Sequence, residues 1–226
     1  MVYCEEGMNS GPSAARNRAL SRATSSHITL MDSDDQVAEN YVENIFIGLS
    51  SYDAFAVRPV YRQGNREIRG LELDSLTSSQ FANFYGSVPF VAPRSWIPTF
   101  PNVVAEDGVA TINVIHRSGG TLPVVNATYF IQLSETSYCA SQGSTFTERY
   151  QPHLDESESI ALQMGNPGLA ADVATLYRTR LAMSKNYDRQ CEVNPAFGYH
   201  EYVMASQHIS AQVKAPKDAN HFSYGL

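Results

Sequence analysis

The clearest alternation of apolar and polar positions in the chain runs from Gly108 to Leu133. Ala110, Ile112, Val114 and His116 alternate with Thr111, Asn113 and Ile115, a period of two that reads as a strand. Ser118-Gly119-Gly120 follows, with glycines free to take positive φ, and Val125, Ala127, Tyr129, Ile131 and Leu133 then share one face of a long return strand. The pattern predicts a hairpin, with Pro123 marking an edge or a bulge. Ahead of it, the segment from Val88 to Pro101 contains Pro89, Pro93, Pro98 and Pro101, which exclude a helix and a central strand. Phe90, Trp96, Ile97 and Phe100 give that loop more apolar surface than a solvated linker carries.

Elsewhere the periods are shorter. His27 to Met31 reads as a short strand. Ser33 and Gln36 have capping-box spacing, and Asp34 and Asp35 suit a helix N-terminus. Val37, Tyr41, Val42, Ile45 and Phe46 then recur at helical intervals, predicting a helix over 35–47 that Gly48 could stop. Ala54 to Arg62 reads as a strand, returned by Gln63-Gly64-Asn65 into a second over 67–73. Thr77 to Tyr85 is a short helix or an aromatic-rich turn, and 134–153 reads as a long loop. Asn166 and Pro167 open a helix carrying Leu169, Val173, Leu176, Tyr177 and Leu181 as its apolar stripe, to about Ser184. Tyr202 and Met204 alternate with Val203 and Ala205, which predicts a strand over 199–213, and the tail from Pro216 is expected to be extended. These elements divide the chain into a flexible arm over 1–26, a β-rich sandwich-like core over 27–134 and a C-terminal extension over 135–226. The fold class expected is mainly β with helical insertions, α+β, as a jelly-roll-like antiparallel sandwich.

Composition narrows the function. The 226 residues are 43% hydrophobic, enough for a core. A net charge of −7 argues against a protein built chiefly to neutralise nucleic acid. Cys4, Cys139 and Cys191 are far apart and form no CxxC, so neither a zinc site nor a disulfide framework is expected, and a reducing compartment is the default. The N-terminus has no apolar core of a signal peptide, no run approaches a membrane span, and Asn126-Ala127-Thr128 is therefore read as a chance sequon.

Candidate chemistry is sparse. His200-Glu201 begins like HExxH, but Met204 stands at the second histidine position, and His208 lies seven residues beyond Glu201. His153, Asp155, Glu156 and Glu158 could divide acid and base roles, although adjacent exposed acids are usually a solvated surface or a helix start. Cys139 with His116 meets only a loose description of a nucleophile and base. No phosphate-loop or nucleophile-elbow motif occurs. The sequence thus assigns no catalytic, cofactor or metal residue, and the chain is not expected to be an enzyme. Phe90, Arg94, Trp96, Ile97 and Phe100 are either a cluster tucked against their own sheet or an intersubunit surface. Arg16, Arg18 and Arg22 belong to a mobile arm or to a short arm touching phosphate or a neighbouring subunit.

The run Val88-Pro89-Phe90-Val91-Ala92-Pro93-Arg94-Ser95-Trp96, with Gly108–His116 and Leu122–Leu133, resembles the rear part of a picorna-like virus capsid protein of the insect and algal kind. Gly48 to Arg62 is loosely similar as well, and Gln142-Gly143 looks like a polyprotein junction. The resemblance spans about residues 45–135. It implies a structural virion protein, made in the host cytoplasm, that packs against copies of itself and other shell proteins. The anchors would be Phe90, Trp96, Ile97, Phe100 and Arg94, with Arg16, Arg18 and Arg22 contacting genomic RNA; no membrane and no cofactor are implied. Such a jelly roll has about four strands before this region, and residues 1–44 are too short and polar to hold them. A partner chain would then complete the sheet, or the similarity is a convergent sandwich pattern. The alternatives are a hydrolase using the acidic and histidine groups, or a phage tail or neck component.

Overall fold

The structure, a computed structural model, describes residues 11–70, 72–134, 137, 140 and 145–212, the last six by backbone alone. Helix α1 (Gly11–Arg22) leads to β1 (His27–Thr29) and, after a turn, to β2 (Gln36–Val37) and α2 (Tyr41–Leu49). The hairpin β3 (Phe55–Gln63) and β4 (Arg66–Arg69) turns at Gly64, whose φ of 58° suits glycine. Strand β5 (Ser75–Thr77) runs into α3 (Ser78–Ala82), which a reciprocal Thr77–Gln80 capping box starts. Then come β6 (Phe90–Pro93), a 3-10 turn (Arg94–Trp96), α4 (Glu106–Arg117) and β7 (Thr121–Gln132). Helices α5 (Phe146–Asp155), α6 (Ser157–Gln163), α7 (Ala170–Val193) and α8 (Tyr199–Gln212) complete the described chain.

The strands form one sheet in the order β1-β6-β3-β7-β2, with β4 added to β3 and β5 to β7. Strands β3 and β7 are parallel, while the other pairs are antiparallel. A parallel neighbour needs a crossover, and α4 lies in the connection that supplies it. The register slips between Val57 and Arg58, where β7 passes from Val125 to Thr128. One buried cluster joins the sheet, α3, α4, α6 and α7. A smaller one, Tyr41, Phe55, Val57, Val91, Ala127 and Tyr129, seats α2.

This is a mixed α/β fold, about half helix around a curled sheet, and the expected jelly-roll sandwich is incorrect. The main error is α4. Val109, Thr111, Ile112, Val114 and Ile115 favour strands by propensity, and their run alternates. All five are buried in a helix covered on nearly every side. The helical penalty of a β-branched residue is about 0.5 kcal/mol, whereas burying such a side chain is worth roughly 1.5–3 kcal/mol. Packing therefore overrides propensity. Glu106 and Asp107 in the first turn, with His116 and Arg117 in the last, also suit the helix dipole. Gly119 and Gly120 do take positive φ, at 86° and 91°, but they end a helix instead of reversing a strand.

Other elements differ for local reasons. The helix expected over 35–47 begins only at Tyr41, because Asp35 accepts hydrogen bonds from β7 and Gln36–Val37 pair with that strand. The strand expected over 199–213 is helix α8 through Gln212, whose Tyr199 and Tyr202 rings pack on Tyr187 of α7. The helix expected to end near Ser184 continues to Val193. Helix α5 begins within the span read as a loop over 134–153, with Phe146 stacked on Tyr150. Strands β3 and β7 lie close to their predicted limits. Leu71, the Gln142-Gly143 dipeptide and the tail from Pro216 lie outside the described residues. Among those described, no helix is long and apolar enough to cross a membrane.

Candidate active site

Four segments meet beside the end of β1: α1, the turn Asp32–Asp35, the loop 86–89 and the start of α4. Alanines and other good helix formers let α1 form, and Asn17 fixes where it lies. Its Nδ2 donates to the Phe100 carbonyl at 2.9 Å, and the Phe100 N–H donates to its Oδ1 at 2.6 Å. The neighbouring Arg16 is thereby aimed inward. It donates through Nη2 to Asp32 Oδ1 at 2.7 Å and through Nη1 to Glu106 Oε1.

The acidic turn is held from the other side by β7. The Tyr129 hydroxyl accepts from the Asp32 N–H at 2.9 Å and donates to Asp35 Oδ2 at 2.8 Å. The Gln132 N–H donates to Asp35 Oδ1, also at 2.8 Å. Burial is the main cause raising the Asp35 carboxyl to about 6; these two hydrogen bonds oppose it, and Asp32 and Asp34 add to it. Burial likewise raises the Tyr129 phenol, with Asp35 contributing, so it remains a donor at neutral pH.

Ala105 sits in the left-handed region, at φ 60° and ψ 40°, and delivers Glu106 and Asp107 together into the first turn of α4. Glu106 is 5% exposed. Burial and then Asp107 raise its carboxyl to about 7 against the pull of Arg16. Burial alone would lower the Arg16 guanidinium, but Asp107, Asp32 and Glu106 hold it above its ordinary value. Asp107 Oδ2 accepts from the Ser87 hydroxyl at 2.6 Å. Ser87 is itself held by the Tyr61 hydroxyl, to which its N–H donates at 3.0 Å, and Arg180 Nη2 donates to the Gly86 carbonyl at 2.6 Å. Arg16, Asp32, Asp35, Ser87, Asp107 and Tyr129 are among the residues lining a cavity of about 70 Å³. A carboxylate fixed by a hydroxyl, beside one guanidinium among several acids, can take a proton from a hydroxyl and orient a polar ligand. Among the described residues no group of three histidine, cysteine or acidic side chains could hold a metal ion.

The structure redistributes the residues singled out in the sequence. Phe90, Ile97 and Phe100 are 1%, 2% and 3% exposed and fill the chain's own core, which corrects their reading as intersubunit anchors. Trp96 is half-buried against that core, and Arg94 is exposed. Arg16 is held by carboxylates, Arg18 is half-buried and Arg22 exposed. His153 accepts the Val104 N–H on Nε2 at 3.2 Å, and burial lowers its pKa, so it holds a loop as a neutral ring. Asp155, Glu156 and Glu158 are exposed. His200 is buried and meets the Ser137 hydroxyl at 3.4 Å, while exposed Glu201 accepts from the Gly198 N–H. His116 pairs with Asp172 at 2.6 Å, and Cys191 is a free thiol. Cys4, Cys139 and the His208 side chain lie outside the described residues. Sequence reasoning missed Asp32, Glu106 and Asp107 and assigned Asp35 to a helix start. The signal was present in Asp32-Ser33-Asp34-Asp35 directly after a strand, since strand ends are where α/β sheets place ligands.

Residues 2–99 match the profile of glycosyl transferase family 2. No curated protein sequence matches the chain. Among solved structures, S. aureus TarS 1-349 in complex with UDP-GlcNAc is similar at a TM-score of 0.53 with 14% identity, over 89% of this chain and 61% of that one. TarS 1-349 alone is similar at 0.51 with 13% identity, over 92% and 63%. This chain therefore spans less than two thirds of either of these TarS chains. These findings overturn the capsid resemblance and, with it, the structural virion function, the virion location and the expectation that the chain is not an enzyme. The fold is of the GT-A glycosyltransferase type.

Proposed function

We propose that the chain carries out glycosyl transfer from a nucleoside-diphosphate sugar to a hydroxyl acceptor. The observation that carries this reading is Asp107, fixed by Ser87 at the wall of a cavity it shares with Arg16, Asp32 and Asp35, within a fold shared with a protein bound to UDP-GlcNAc. The family match over residues 2–99, which contains Arg16, Asp32, Asp35 and Ser87, supports it.

In this reading the acceptor oxygen attacks the anomeric carbon of the donor. A carbon–oxygen bond forms there, the bond to the diphosphate breaks, and the nucleoside diphosphate departs with the electron pair. Asp107 takes the acceptor proton through Oδ1, since Ser87 occupies Oδ2. Arg16 faces the charge that develops on the leaving diphosphate. Glu106 does not line the cavity and acts on Arg16 as a positioning residue.

The test is calorimetric binding of UDP-GlcNAc and other nucleoside-diphosphate sugars, followed by assay of nucleoside-diphosphate release with hydroxyl acceptors. Asp107→Asn should leave donor binding and melting temperature near wild type while reducing turnover by about 100-fold or more. Absence of binding to every nucleotide sugar at millimolar concentration would overturn the proposal, as would full turnover by Asp107→Asn.

A further inference from the structure

Among the described residues β1 ends the sheet, with β6 as its neighbour. The register pairs His27, Ile28 and Thr29 with Pro93, Ala92 and Val91, and beside it the Arg94 N–H donates to the Ser26 carbonyl at 2.8 Å. Hydrogen-bonded positions alternate along an antiparallel ladder. Ile28, two residues beyond Ser26, therefore turns its N–H and C=O toward β6, while Pro93, opposite His27, has no N–H to offer. His27 and Thr29 turn their backbone groups the other way, off the open side of the sheet. Groups in that position are a template for a further strand.

The two ends of this edge carry opposite charge. From Thr24 to Met31 the sequence has no Asp, Glu, Lys or Arg. Arg22 lies ahead of that run and Arg94 stands across from Ser26 at the same end, both exposed. Asp32 and Asp34 follow at the other end, exposed as well. Just before them Met31 is 56% exposed, a large apolar side chain left mostly in solvent. A strand with bases at its start and acids at its end is complementary to itself when reversed. A two-fold axis through Ile28 sets His27 opposite Thr29 of a second copy, and the outward N–H and C=O groups then bond in both directions. Ile28 meets its own counterpart as a close β-branched pair, and Met31 comes against Ser25 of the second copy. The same axis carries Arg22 and Arg94 of each copy toward the acidic end of the other.

From this we infer that the chain forms a two-fold dimer by joining β1 to β1 of a second copy, so that one sheet runs through both. The acidic turn Asp32–Asp35 closely follows β1. The arginines of one copy therefore stand beside the candidate site of the other. The dimer rests on the sheet edge and its charges, and not on the transfer reading.

Light scattering of the full chain, from about 10 μM to about 1 mM, reads the association. Wild type should pass from the mass of one chain to that of two. Thr29→Pro removes an N–H that points off the sheet and leaves the bonds to β6 in place, so it should weaken dimerisation about tenfold or more. A charge exchange tests the two-fold axis without touching β1. Arg22→Glu/Arg94→Glu and Asp34→Arg should each associate poorly alone, since like charges then meet. Native mass spectrometry of their mixture at low salt should show the mixed dimer. Wild type that stays monomeric at the upper concentration overturns the inference, as does undiminished association of Thr29→Pro or a mixture no more dimeric than its parts. Protection of the Thr29 amide from hydrogen exchange in a monomeric sample also overturns it, since another part of the same chain would then cover the edge.

Discussion

Asp35 shows how one carboxylate can be both structural anchor and source of pH dependence. It accepts from Tyr129 and Gln132, yet burial keeps its pKa near 6, above the ordinary 3.8. The folded state therefore holds that proton more tightly than the unfolded state does. The sign follows: its contribution to stability is fully present below 3.8 and is lost as pH rises through about 6. Denaturant midpoints measured from pH 4.5 to 7.5 should fall with pH in wild type. Asp35→Asn, which cannot ionise and can accept only one of the two bonds, should be less stable at the acid end and show a shallower slope. Identical slopes in the two proteins would show that Asp35 does not set this dependence.

Helix α2 illustrates the competition between propensity and packing within an element. Gly48 occupies its last turn, where alanine would improve helix propensity by about 1 kcal/mol. A Cβ built at Gly48 would stand 2.7 Å from Phe55 Cζ, and Phe55 is fully buried. Moving a core ring costs roughly 1–3 kcal/mol, so Gly48→Ala should destabilise the protein by about 1–2 kcal/mol. Chemical denaturation decides it; a stabilised variant would mean that the helix shifts freely on its sheet. The same competition governs α4. There the β-branched run favours a strand, but burial on nearly all sides keeps it helical.

Across the whole molecule, the C-terminal helices reach the candidate site through Arg180. This buried residue of α7 donates to Gly86 O and lies 5.2 Å from the Tyr85 ring centroid, next to the serine that holds Asp107. Arg180→Met should loosen the loop at 86–89 and lower kcat about tenfold while leaving donor KM near wild type. A structural role alone would lower stability and leave the pH profile of turnover unmoved; mispositioning of Asp107 should move it as well. Unchanged kcat and pH profile in a folded Arg180→Met protein would exclude this coupling.

Local patterns were legible where one residue type leaves few conformations. Gly64 turns the β3–β4 hairpin, Pro167 opens the 3-10 turn before α7, and β3 and β7 lie near their expected limits. Each depends on chain-local geometry, which sequence neighbours determine. The helical state of α4, the parallel pairing of β3 with β7 and the burial of Phe90, Ile97 and Phe100 depend on what surrounds them. An apolar run with period two and one buried on every side look alike until the neighbours are known. The candidate site belongs to the second kind. Arg16, Asp32 and Glu106 are separated by up to 90 positions, and only the tertiary fold sets a guanidinium between two carboxylates. The acids were visible as residues; their convergence was not, because it arises from long-range packing of α1, the turn after β1 and α4.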